Sequence, residues 1–425
     1  MGSRRVVVAA WGSFGDLNPH LALALGLQDR GHRVVFATAE FYRSRVEDLG
    51  LTFRPMRPDL PDWQTPGVMR ALNDSRRGTE RVVRRLIFPA LRQTYADVLP
   101  LAADADLLVS SLLAVGARLA AERVGIQSVT TALQPSLFFS AYDPPALGLP
   151  SGLDALHRLP PAFHRLVFRA VAAGASHWFA PWRAARAELG LSADAADGFM
   201  IGPRWQGLVL ALFSPLLATP QPDWPADAIV TGFPFDRRVD GDQLPAVLRQ
   251  FLDAGPAPLV FTLGSTAVLE PGRFFAESVQ AARLLGRRAI LLSGPDAPTG
   301  IVQRDPDMLA LVYAPHAPLF PRAEAIVHHG GIGTLSQAMR AGRPSLIVPF
   351  AHDQPDNARR AARLGIATVL RPRRYRGDTA ARALRLLLDD ATVRARTAAV
   401  AEQVRAEDGV RFACEAIESR ADGRT

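Results

Sequence analysis

The sequence predicts an α/β protein in which two Rossmann-like domains face a cleft. Three observations lead to this fold class. Short apolar runs alternate with helical stretches along the chain, which is typical of parallel sheets covered by helices. A proline-rich segment interrupts the alternation near the middle, and the pattern then starts again. With 425 residues, 48% of them hydrophobic, the chain is long enough to bury a core in each of two domains.

The first predicted domain covers residues 1–215, and its opening strand runs from Arg4 to Ala10. Asn18 and Pro19 predict the start of the next helix, because asparagine is a good N-cap and proline fits the first helical position. Further strands are predicted at 34–38, 107–110 and 127–130, with a helix at 115–124.

A cluster of prolines then predicts an interdomain linker at 216–240, since proline interrupts helices and central strands. The second predicted domain covers 241–405, and a C-terminal helix and tail at 406–425 are expected to pack back on the first domain. Strands of the second domain are predicted at 259–263, 289–292, 325–327 and 346–348, and helices at 271–285, 332–341, 355–363 and 377–389.

The composition excludes several classes of enzyme. All 49 basic residues are arginine, since the sequence contains no lysine. Schiff-base enzymes, pyridoxal-phosphate enzymes and P-loop nucleotidases all need a lysine and are therefore excluded. The single cysteine, Cys414, excludes an intrachain disulfide and a cysteine zinc cluster. No run reaches about 18 apolar residues, so we expect a cytoplasmic protein. The sequence also contains no recognised nucleic-acid-binding module, so we expect no nucleic-acid partner.

Two arginine-rich segments allow two interpretations. Residues 70–92 carry arginines at near-helical spacing, and residues 157–186 combine arginines with aromatic side chains. A solvated helix face with a core stripe explains both segments. The alternative is an apolar-lined cover for a hydrophobic substrate, in peripheral contact with the cytoplasmic face of the inner membrane.

The segment from Val327 to Ser336 carries the clearest chemical signal. A strand ends at His328, glycines follow, and a helix begins near Gly331. Glycines let the backbone approach a ligand closely, and the first helical N–H groups carry a partial positive charge, so a phosphate is the expected ligand. The His328 ring and the Thr334 hydroxyl can donate further hydrogen bonds.

Asp353 and Gln354 follow the next strand of the same domain. A carboxylate beside a carboxamide suits the hydroxyl groups of a sugar, because both accept hydrogen bonds and the amide also donates them. Together with the phosphate turn, this pair predicts a sugar attached to a diphosphate.

Residues 328–357, HHGGIGTLSQAMRAGRPSLIVPFAHDQPDN, resemble the donor-binding signature of family 1 nucleotide-sugar glycosyltransferases of the GT-B fold. GSFGDLNPHLALALGLQDRGHRVVFAT resembles the opening of that family's acceptor domain, and the resemblance covers nearly the whole chain. It implies an inverting, metal-independent transfer of rhamnose or glucose from a dTDP- or UDP-sugar. The acceptor would be a hydroxyl of an apolar molecule such as a hydroxyacyl lipid, a flavonoid or another natural product. Within the family, LVFTLGST and YAPHAPLFPRAEAIVHHGGIGT are most similar to the bacterial rhamnosyltransferases of rhamnolipid synthesis, which make a glycolipid.

The resemblance also implies roles for residues of the donor domain. His328 matches the diphosphate-binding histidine of the family, and Asp353 and Gln354 match the pair that holds the sugar. The other matches are the phosphate cradle at Gly331, Ile332, Gly333 and Thr334, a phosphate contact at Ser265, and the base-binding position at Tyr313 and Ala314, where Tyr313 replaces the usual tryptophan.

In the acceptor domain, Asp16 stands where plant members have their catalytic histidine. The resemblance therefore implies that Asp16 takes the acceptor proton, and His20, one turn later, is the alternative base. Aromatic residues of the first domain are the expected acceptor contacts, namely Trp11, Phe14, Phe138, Phe139, Trp178 and Trp182. The last four suit a position in the core equally well.

Two other functions remain open. A sugar-nucleotide epimerase would bind the same donor without an acceptor, and a non-catalytic sugar-nucleotide-binding protein would not need Asp16. Asp-x-Asp pairs at 104–106, 240–242 and 305–307 match the metal motif of GT-A transferases, but none follows a convincing strand end. We therefore expect no metal and no other cofactor.

Overall fold

The computed structural model describes residues 2–60, 67–75, 77–146, 156–157, 159–192, 201–203, 205–294 and 305–422. The chain divides into two compact units. The first consists of Met1–Asp62, Thr79–Val239 and Glu407–Thr425, and the second consists of Trp63–Gly78 and Asp240–Ala406. None of the helices in the described ranges combines the length and the hydropathy that crossing a bilayer requires.

The first unit is built on a seven-stranded parallel sheet with the strand order β3-β2-β1-β4-β5-β6-β7. Its strands are β1 (Arg5–Ala9), β2 (Arg33–Thr38), β3 (Thr52–Pro55), β4 (Leu107–Ser111), β5 (Gln127–Ala132), β6 (Leu208–Ala211) and β7 (Ala228–Val230). Val7 of β1 pairs with Val35 of β2 on one side and with Leu108 of β4 on the other. Aliphatic side chains of this kind suit strands whose two faces are both covered.

The second unit repeats the design with a six-stranded parallel sheet in the order β10-β9-β8-β11-β12-β13. Its strands are β8 (Leu259–Thr262), β9 (Ala289–Leu292), β10 (Met308–Leu311), β11 (Ala325–His328), β12 (Ser345–Ile347) and β13 (Ala367–Val369). The central strand β11 pairs with β8 through Val327 and Phe261. The structure thus confirms two parallel-sheet Rossmann-like α/β domains.

Helices follow most strands, as expected for parallel sheets. Up to β8 the α-helices are α1 (Phe14–Asp29), α2 (Arg43–Asp48), α3 (Val68–Leu72), α4 (Gly78–Arg81), α5 (Leu91–Ala103), α6 (Val115–Val124), α7 (Pro161–Ala175), α8 (Ala180–Glu188), α9 (Arg237–Asp240) and α10 (Ala246–Asp253). After β8 they are α11 (Phe274–Leu285), α12 (His316–Leu319), α13 (Ile332–Ala341), α14 (Gln354–Arg363), α15 (Gly377–Asp389), α16 (Ala391–Ala406) and α17 (Gly409–Ala421).

The last helix, α17, belongs to the first unit and packs on α1. Gly26 of α1 allows this close approach, because a Cβ there would lie 2.3 Å from Cγ1 of Val410. Glu418 of α17 accepts hydrogen bonds from Arg30 at 2.6 Å and from His32 at 3.0 Å. A close helix contact and a charged cluster therefore attach the C-terminal segment to the first sheet.

The structure corrects the predicted start of α1. The helix begins at Phe14 with Ser13 as its N-cap, so Asn18 and Pro19 lie inside it. The reason is local, since the Asp16 side chain accepts the backbone N–H of Ser13 and stabilises this earlier start. Pro19 costs the helix one backbone hydrogen bond.

The predicted linker at 216–240 is also corrected. It contains β7, which pairs with β6 at the edge of the first sheet. Prolines are tolerated beside an edge strand, because one side of such a strand has no ladder hydrogen bonds to make. The boundary between the two units falls between Val239 and Asp240.

The arginine-rich segments are largely helical. Residues 70–92 contain the end of α3, α4 and a π-helical turn at Val82–Ile87, and residues 157–186 contain α7 and most of α8. The side chains of Arg76 and Arg158 lie outside the described residues. Along α7, Leu166 is 65% exposed and Val171 is 48% exposed. Contact of this helix with a membrane stays a prediction.

Candidate active site

Asp16 lies in the first turn of α1, shortly after β1 ends. Its Oδ2 accepts hydrogen bonds from the backbone N–H of Ser13 at 2.8 Å and from the Ser13 hydroxyl at 3.0 Å. Oδ1 takes part in neither of these two hydrogen bonds. Burial raises the pKa of Asp16 above its usual range, against the opposing effect of the Ser13 hydrogen bonds. A carboxylate with a raised pKa is a stronger base than a free one.

His20 is fully buried beneath Asp16. Its Nδ1 lies 2.6 Å from the backbone oxygen of Asp16, and its Nε2 lies 2.6 Å from the hydroxyl of Thr131. A carbonyl oxygen only accepts, so Nδ1 carries the ring proton and Nε2 accepts from Thr131. Burial lowers the pKa of His20 to about 4, which keeps the ring neutral near pH 7. Both ring nitrogens are therefore engaged inside the first unit, whereas the contacts of Asp16 with Ser13 use only one of its two carboxylate oxygens.

Three of the predicted acceptor contacts are interior side chains. Trp11 is 5% exposed and donates its indole N–H to the carbonyl oxygen of Pro58 at 2.6 Å. Phe138 is 1% exposed and stacks on Trp224 with 3.8 Å between the ring centroids. Trp182 is 4% exposed. Their apolar surface is buried in packing within the first unit, so we correct their assignment to core residues.

The other predicted aromatic contacts keep accessible surface. Phe14 is 37% exposed, and its ring meets Tyr42 edge to face at 5.2 Å. Phe139 adopts a left-handed backbone conformation with φ of 45° and packs edge to face against Phe168. Trp178 is partly exposed in the 3₁₀ turn that joins α7 to α8. These three side chains remain candidates for acceptor contact.

In the second unit, His328 is the last residue of β11 and is fully buried. The backbone N–H of Gly330 donates to its Nδ1 at 3.1 Å, which places the ring proton on Nε2. Nε2 has no hydrogen-bond partner among the described residues. Burial, helped by His329 and His316, lowers the pKa of His328 well below its usual range, so the ring is neutral. The result is an N–H donor that is fixed in orientation and lacks an acceptor.

The start of α13 lies directly beyond this histidine. Gly331 is the N-cap, and no side chain caps the helix. The N–H groups of Ile332, Gly333 and Thr334 therefore have no partner within the helix. They form the positive end of the helix dipole, which favours an anion.

His329 lies against two glycine turns. A Cβ on Gly331 would lie 2.4 Å from His329 Nε2, and a Cβ on Gly264 would lie 2.5 Å from Cε1 of the same ring. Gly264, just beyond β8, also has a φ of 68°, which favours glycine. The ring thus brings the turn containing the exposed Ser265 close to the start of α13.

Tyr313 and Ala314 follow β10. Tyr313 is 63% exposed, and its ring centroid lies 6.3 Å from that of His316. His316 in turn stacks on Phe320 at 4.4 Å. Ala314 is fully buried. An exposed tyrosine face above a packed aromatic pair is suited to stacking on a planar base.

Asp353 is the N-cap of α14, and Gln354 is its first residue. The side-chain oxygen of Gln354 accepts the backbone N–H groups of Phe350 at 2.8 Å and Ala351 at 3.1 Å. This fixes the orientation of the amide and turns its NH₂ group away from those partners. Asp353 accepts a hydrogen bond from Asn357 through Oδ2 at 2.5 Å. The pair therefore combines a fixed amide donor with an oriented carboxylate.

All three Asp-x-Asp pairs have an aspartate beside an arginine, and in the pair at 240–242 Asp240 lies 3.5 Å from Arg340. Arg5 contacts both aspartates of 104–106. In 305–307, the first aspartate accepts from Arg283 at 3.1 Å, and the second lies 3.7 Å from Arg288. Across the described ranges, no group of three or more His, Cys, Asp or Glu side chains is arranged to hold a metal ion.

His329 and Asn357 are not among the site residues that the sequence predicts. His329 adjoins the predicted diphosphate histidine, but only the structure shows that its ring packs on two separate glycines. Asn357 is four residues after Asp353, a spacing that places both side chains on one face of a helix start. That spacing was the available signal.

Comparisons with known proteins bear on what this site does. Residues 6–141 match the model of the glycosyltransferase family 28 N-terminal domain, and residues 295–410 match that of the erythromycin biosynthesis protein CIII-like C-terminal domain. The O-mycaminosyltylonolide 6-deoxyallosyltransferase of Streptomyces fradiae is 32% identical, over 99% of this chain and 98% of its own. This chain belongs to the same glycosyltransferase family as this relative. The predicted membership is confirmed, whereas the closer similarity of this glycosyltransferase to rhamnolipid enzymes stays a prediction.

One further relative and two solved structures match most of this chain. The vancomycin aglycone glucosyltransferase of Amycolatopsis orientalis is 32% identical to this glycosyltransferase, over 91% of this chain and 97% of its own. The solved glycotransferase of kitacinnamycin has a TM-score of 0.74 at 21% identity, covering 99% of this chain and 100% of that one. The spinosyn rhamnosyltransferase SpnG, complexed with thymidine diphosphate, has a TM-score of 0.66 at 17% identity, covering 96% and 98%. These structures show the GT-B fold.

Proposed function

We propose that this glycosyltransferase moves a hexose from a dTDP- or UDP-sugar to a hydroxyl group of an apolar natural product. The reaction would invert the anomeric carbon and need no metal. Relatives named for 6-deoxyallose transfer to a tylonolide and for glucose transfer to the vancomycin aglycone support this class of reaction. A structural neighbour named as a rhamnosyltransferase, in complex with thymidine diphosphate, supports rhamnose and dTDP as candidates. A hydroxyacyl lipid is a second acceptor class to test.

The observation that carries the proposal is the unpartnered Nε2–H of His328 beside the uncapped start of α13. A buried donor without a partner costs roughly 1–3 kcal/mol. A diphosphate oxygen would remove that cost and would also accept from the first N–H groups of the helix. Ser265 would add a hydroxyl from the neighbouring turn, and the exposed Tyr313 would stack on the base.

Asp353 and Gln354 would hold the hydroxyl groups of the sugar. The Asp353 carboxylate accepts from hydroxyls, and the Gln354 amide donates, because its oxygen is already used by two backbone N–H groups. This division of roles orients the hexose relative to its diphosphate. Rhamnose and glucose both present hydroxyls that such a pair can bind.

Asp16 would act as the base in the first unit. As the acceptor oxygen attacks the anomeric carbon, its proton would pass to the carboxylate oxygen of Asp16 that Ser13 does not contact. The bond between the anomeric carbon and the diphosphate breaks in the same step, which inverts that carbon. The neutral His328 donor and the α13 dipole would stabilise the charge that develops on the leaving diphosphate.

The test is a panel of dTDP- and UDP-sugars combined with macrolide, glycopeptide, flavonoid and hydroxyacyl-lipid acceptors, with products detected by mass spectrometry. We expect the mass of an acceptor plus one hexose, with release of the free nucleoside diphosphate. An isomerised sugar without an acceptor product would contradict the proposal in favour of an epimerase. Donor binding without turnover in the whole panel would contradict it in favour of a binding protein.

A further inference from the structure

A buried amide connects the two predicted parts of the donor site. Asn357, in the first turns of α14, is fully buried. Its Nδ2 donates to the carbonyl oxygen of Gly330 at 3.0 Å and to Oδ2 of Asp353 at 2.5 Å. One nitrogen therefore bridges a backbone group of the phosphate turn and the carboxylate expected to hold the sugar.

The bridge continues to His328 through a single residue. Gly330 donates its N–H to Nδ1 of His328 and offers its carbonyl to Asn357. Gly330 itself is closely confined, since a Cβ there would lie 2.8 Å from Ile347 Cγ2 and 3.2 Å from the backbone oxygen of Gln354. The order of contacts is thus Asp353, Asn357, Gly330 and His328.

The chemistry of Asn357 fits this arrangement closely. Both of its partners are oxygens that accept hydrogen bonds, so only the NH₂ end of the amide can face them. Its Oδ1 is buried and makes no hydrogen bond to the described residues. An unpaired buried oxygen costs free energy, and an apolar residue of similar size would fill the same space without that cost. The two hydrogen bonds of Nδ2, and not the filling of space, therefore explain an asparagine at this position.

We propose that Asn357 is a positioning residue of the donor site. It holds the Asp353 carboxylate toward the sugar hydroxyls and, through Gly330, keeps the His328 ring in the orientation that presents Nε2–H to the diphosphate. The ligand class is a nucleoside diphosphate sugar. This inference rests on the proposed function, because Asp353 and His328 act on the donor only if a sugar nucleotide binds there.

Asn357→Asp tests the bridge, because it exchanges the donating amide for a carboxyl group of the same shape. At pH 8 the new carboxylate would face the Asp353 carboxylate and could donate to neither of its two partners. At pH 5.5 the two carboxyl groups would share a proton, as close pairs do, and one hydrogen bond would return.

Other charged groups near this position do not account for such a response. Asp356, on the same helix, is already held by Arg360 at 2.6 Å. Across the turn, burial lowers the pKa of His328 well below its usual range and that of His329 to about 3, so both rings are neutral. Asp353 is therefore the group that a carboxylate at 357 would meet.

The experiment measures calorimetric affinities for dTDP-glucose and for dTDP alone, between pH 5.5 and pH 8, in the full-length protein. For Asn357→Asp we expect the affinity for dTDP-glucose to fall about tenfold or more at pH 8 and to recover several-fold at pH 5.5. The affinity for dTDP should fall less, because Asp353 would contact only the sugar. Gln250→Glu, an amide-to-carboxyl exchange at an exposed site on α10, should match the wild type throughout.

Asn357→Ser keeps the test decisive if the aspartate variant does not fold. Its hydroxyl can replace one of the two hydrogen bonds, so we expect a smaller loss for dTDP-glucose with little change for dTDP. Wild-type affinity for dTDP-glucose in both folded variants, or equal losses for both ligands at every pH, would overturn the inference. If the wild-type protein binds dTDP but no nucleotide sugar of the panel, the proposed function fails, and the inference fails with it.

Discussion

Replacing His328 by alanine removes the Nε2–H donor that the second unit holds without a partner. The ring is neutral, its proton is fixed on Nε2 by the N–H of Gly330, and its expected acceptor is a charged diphosphate oxygen. A hydrogen bond to a charged group contributes about 1.5–3 kcal/mol. Since each 1.4 kcal/mol corresponds to a tenfold change in affinity, the dissociation constant for a nucleotide sugar should rise roughly 10- to 150-fold.

Isothermal calorimetry with a dTDP- or UDP-sugar measures this loss directly. His328→Gln should lose less affinity than His328→Ala, because the glutamine amide can reach the position of Nε2. The exposed His177 provides the control, since His177→Gln should bind like the wild type. Wild-type affinity should also show no titration near pH 6.5, because burial keeps the pKa of His328 well below that value. Unchanged affinity in His328→Ala, or a wild-type affinity that rises on acidification with a midpoint near 6.5, would refute the reasoning.

The remaining predictions concern stability and metal dependence. Arg30 and His32 lower the pKa of Glu418 to about 2, so this group stabilises the fold above its unfolded pKa, and the contribution is lost as the pH falls toward 2. In denaturant titrations, Glu418→Gln should therefore lower the free energy of unfolding by about 1–2 kcal/mol at pH 7 and by much less near pH 2.5. An equal loss at the two pH values would contradict the lowered pKa of Glu418. Burial raises the pKa of Asp16, so its ionised form destabilises the fold as the pH rises through that pKa. The melting temperature of Asp16→Asn minus that of the wild type should therefore be larger at pH 8 than at pH 5. A melting-temperature difference that is larger at pH 5 than at pH 8 would contradict the raised pKa of Asp16. Turnover should be unchanged in excess EDTA, and activity that returns only with added divalent metal would disprove the metal-independent mechanism.

Much of the second unit could be predicted, because its element boundaries are marked by local signals. Helix α13 was predicted at 332–341 and runs over Ile332–Ala341, with Gly342 in the left-handed conformation at its C-cap. Helix α15 was predicted at 377–389 and is observed there. Such glycines and caps act within a few residues, so they can be seen in the sequence.

Elsewhere the local signals competed with one another. Ser13 and Asn18 are both good N-caps. The sequence alone did not show that the Asp16 side chain would accept the backbone N–H of Ser13 and so stabilise the earlier helix start. The strands β3, β6, β10 and β13 are short and were missed, and β7 was hidden among prolines. Their pairing depends on neighbouring strands that are distant in the chain, which no local pattern encodes.

In the candidate site, too, some residues could be predicted from local sequence signals and others could not. His328, Asp353 and Gln354 were identified because their types and spacing suit a sugar diphosphate. The role of Asn357 could not be predicted, because its partner Gly330 lies 27 residues earlier and becomes a neighbour only through the pairing of β11 with β12. Burial of Phe138 and Trp182 likewise depends on tertiary packing, since an aromatic residue in a loop or helix suits a ligand and a core equally well.

The central claim is that Asp16 removes the acceptor proton while the second unit holds the donor. The most direct test compares Asp16→Asn with Asp48→Asn, an exposed carboxylate of the same unit, for sugar transfer and for nucleotide-sugar affinity. We predict that Asp16→Asn binds the donor like the wild type and loses transfer by about 100-fold or more, whereas Asp48→Asn keeps both properties. Transfer at the wild-type rate in Asp16→Asn would contradict the claim.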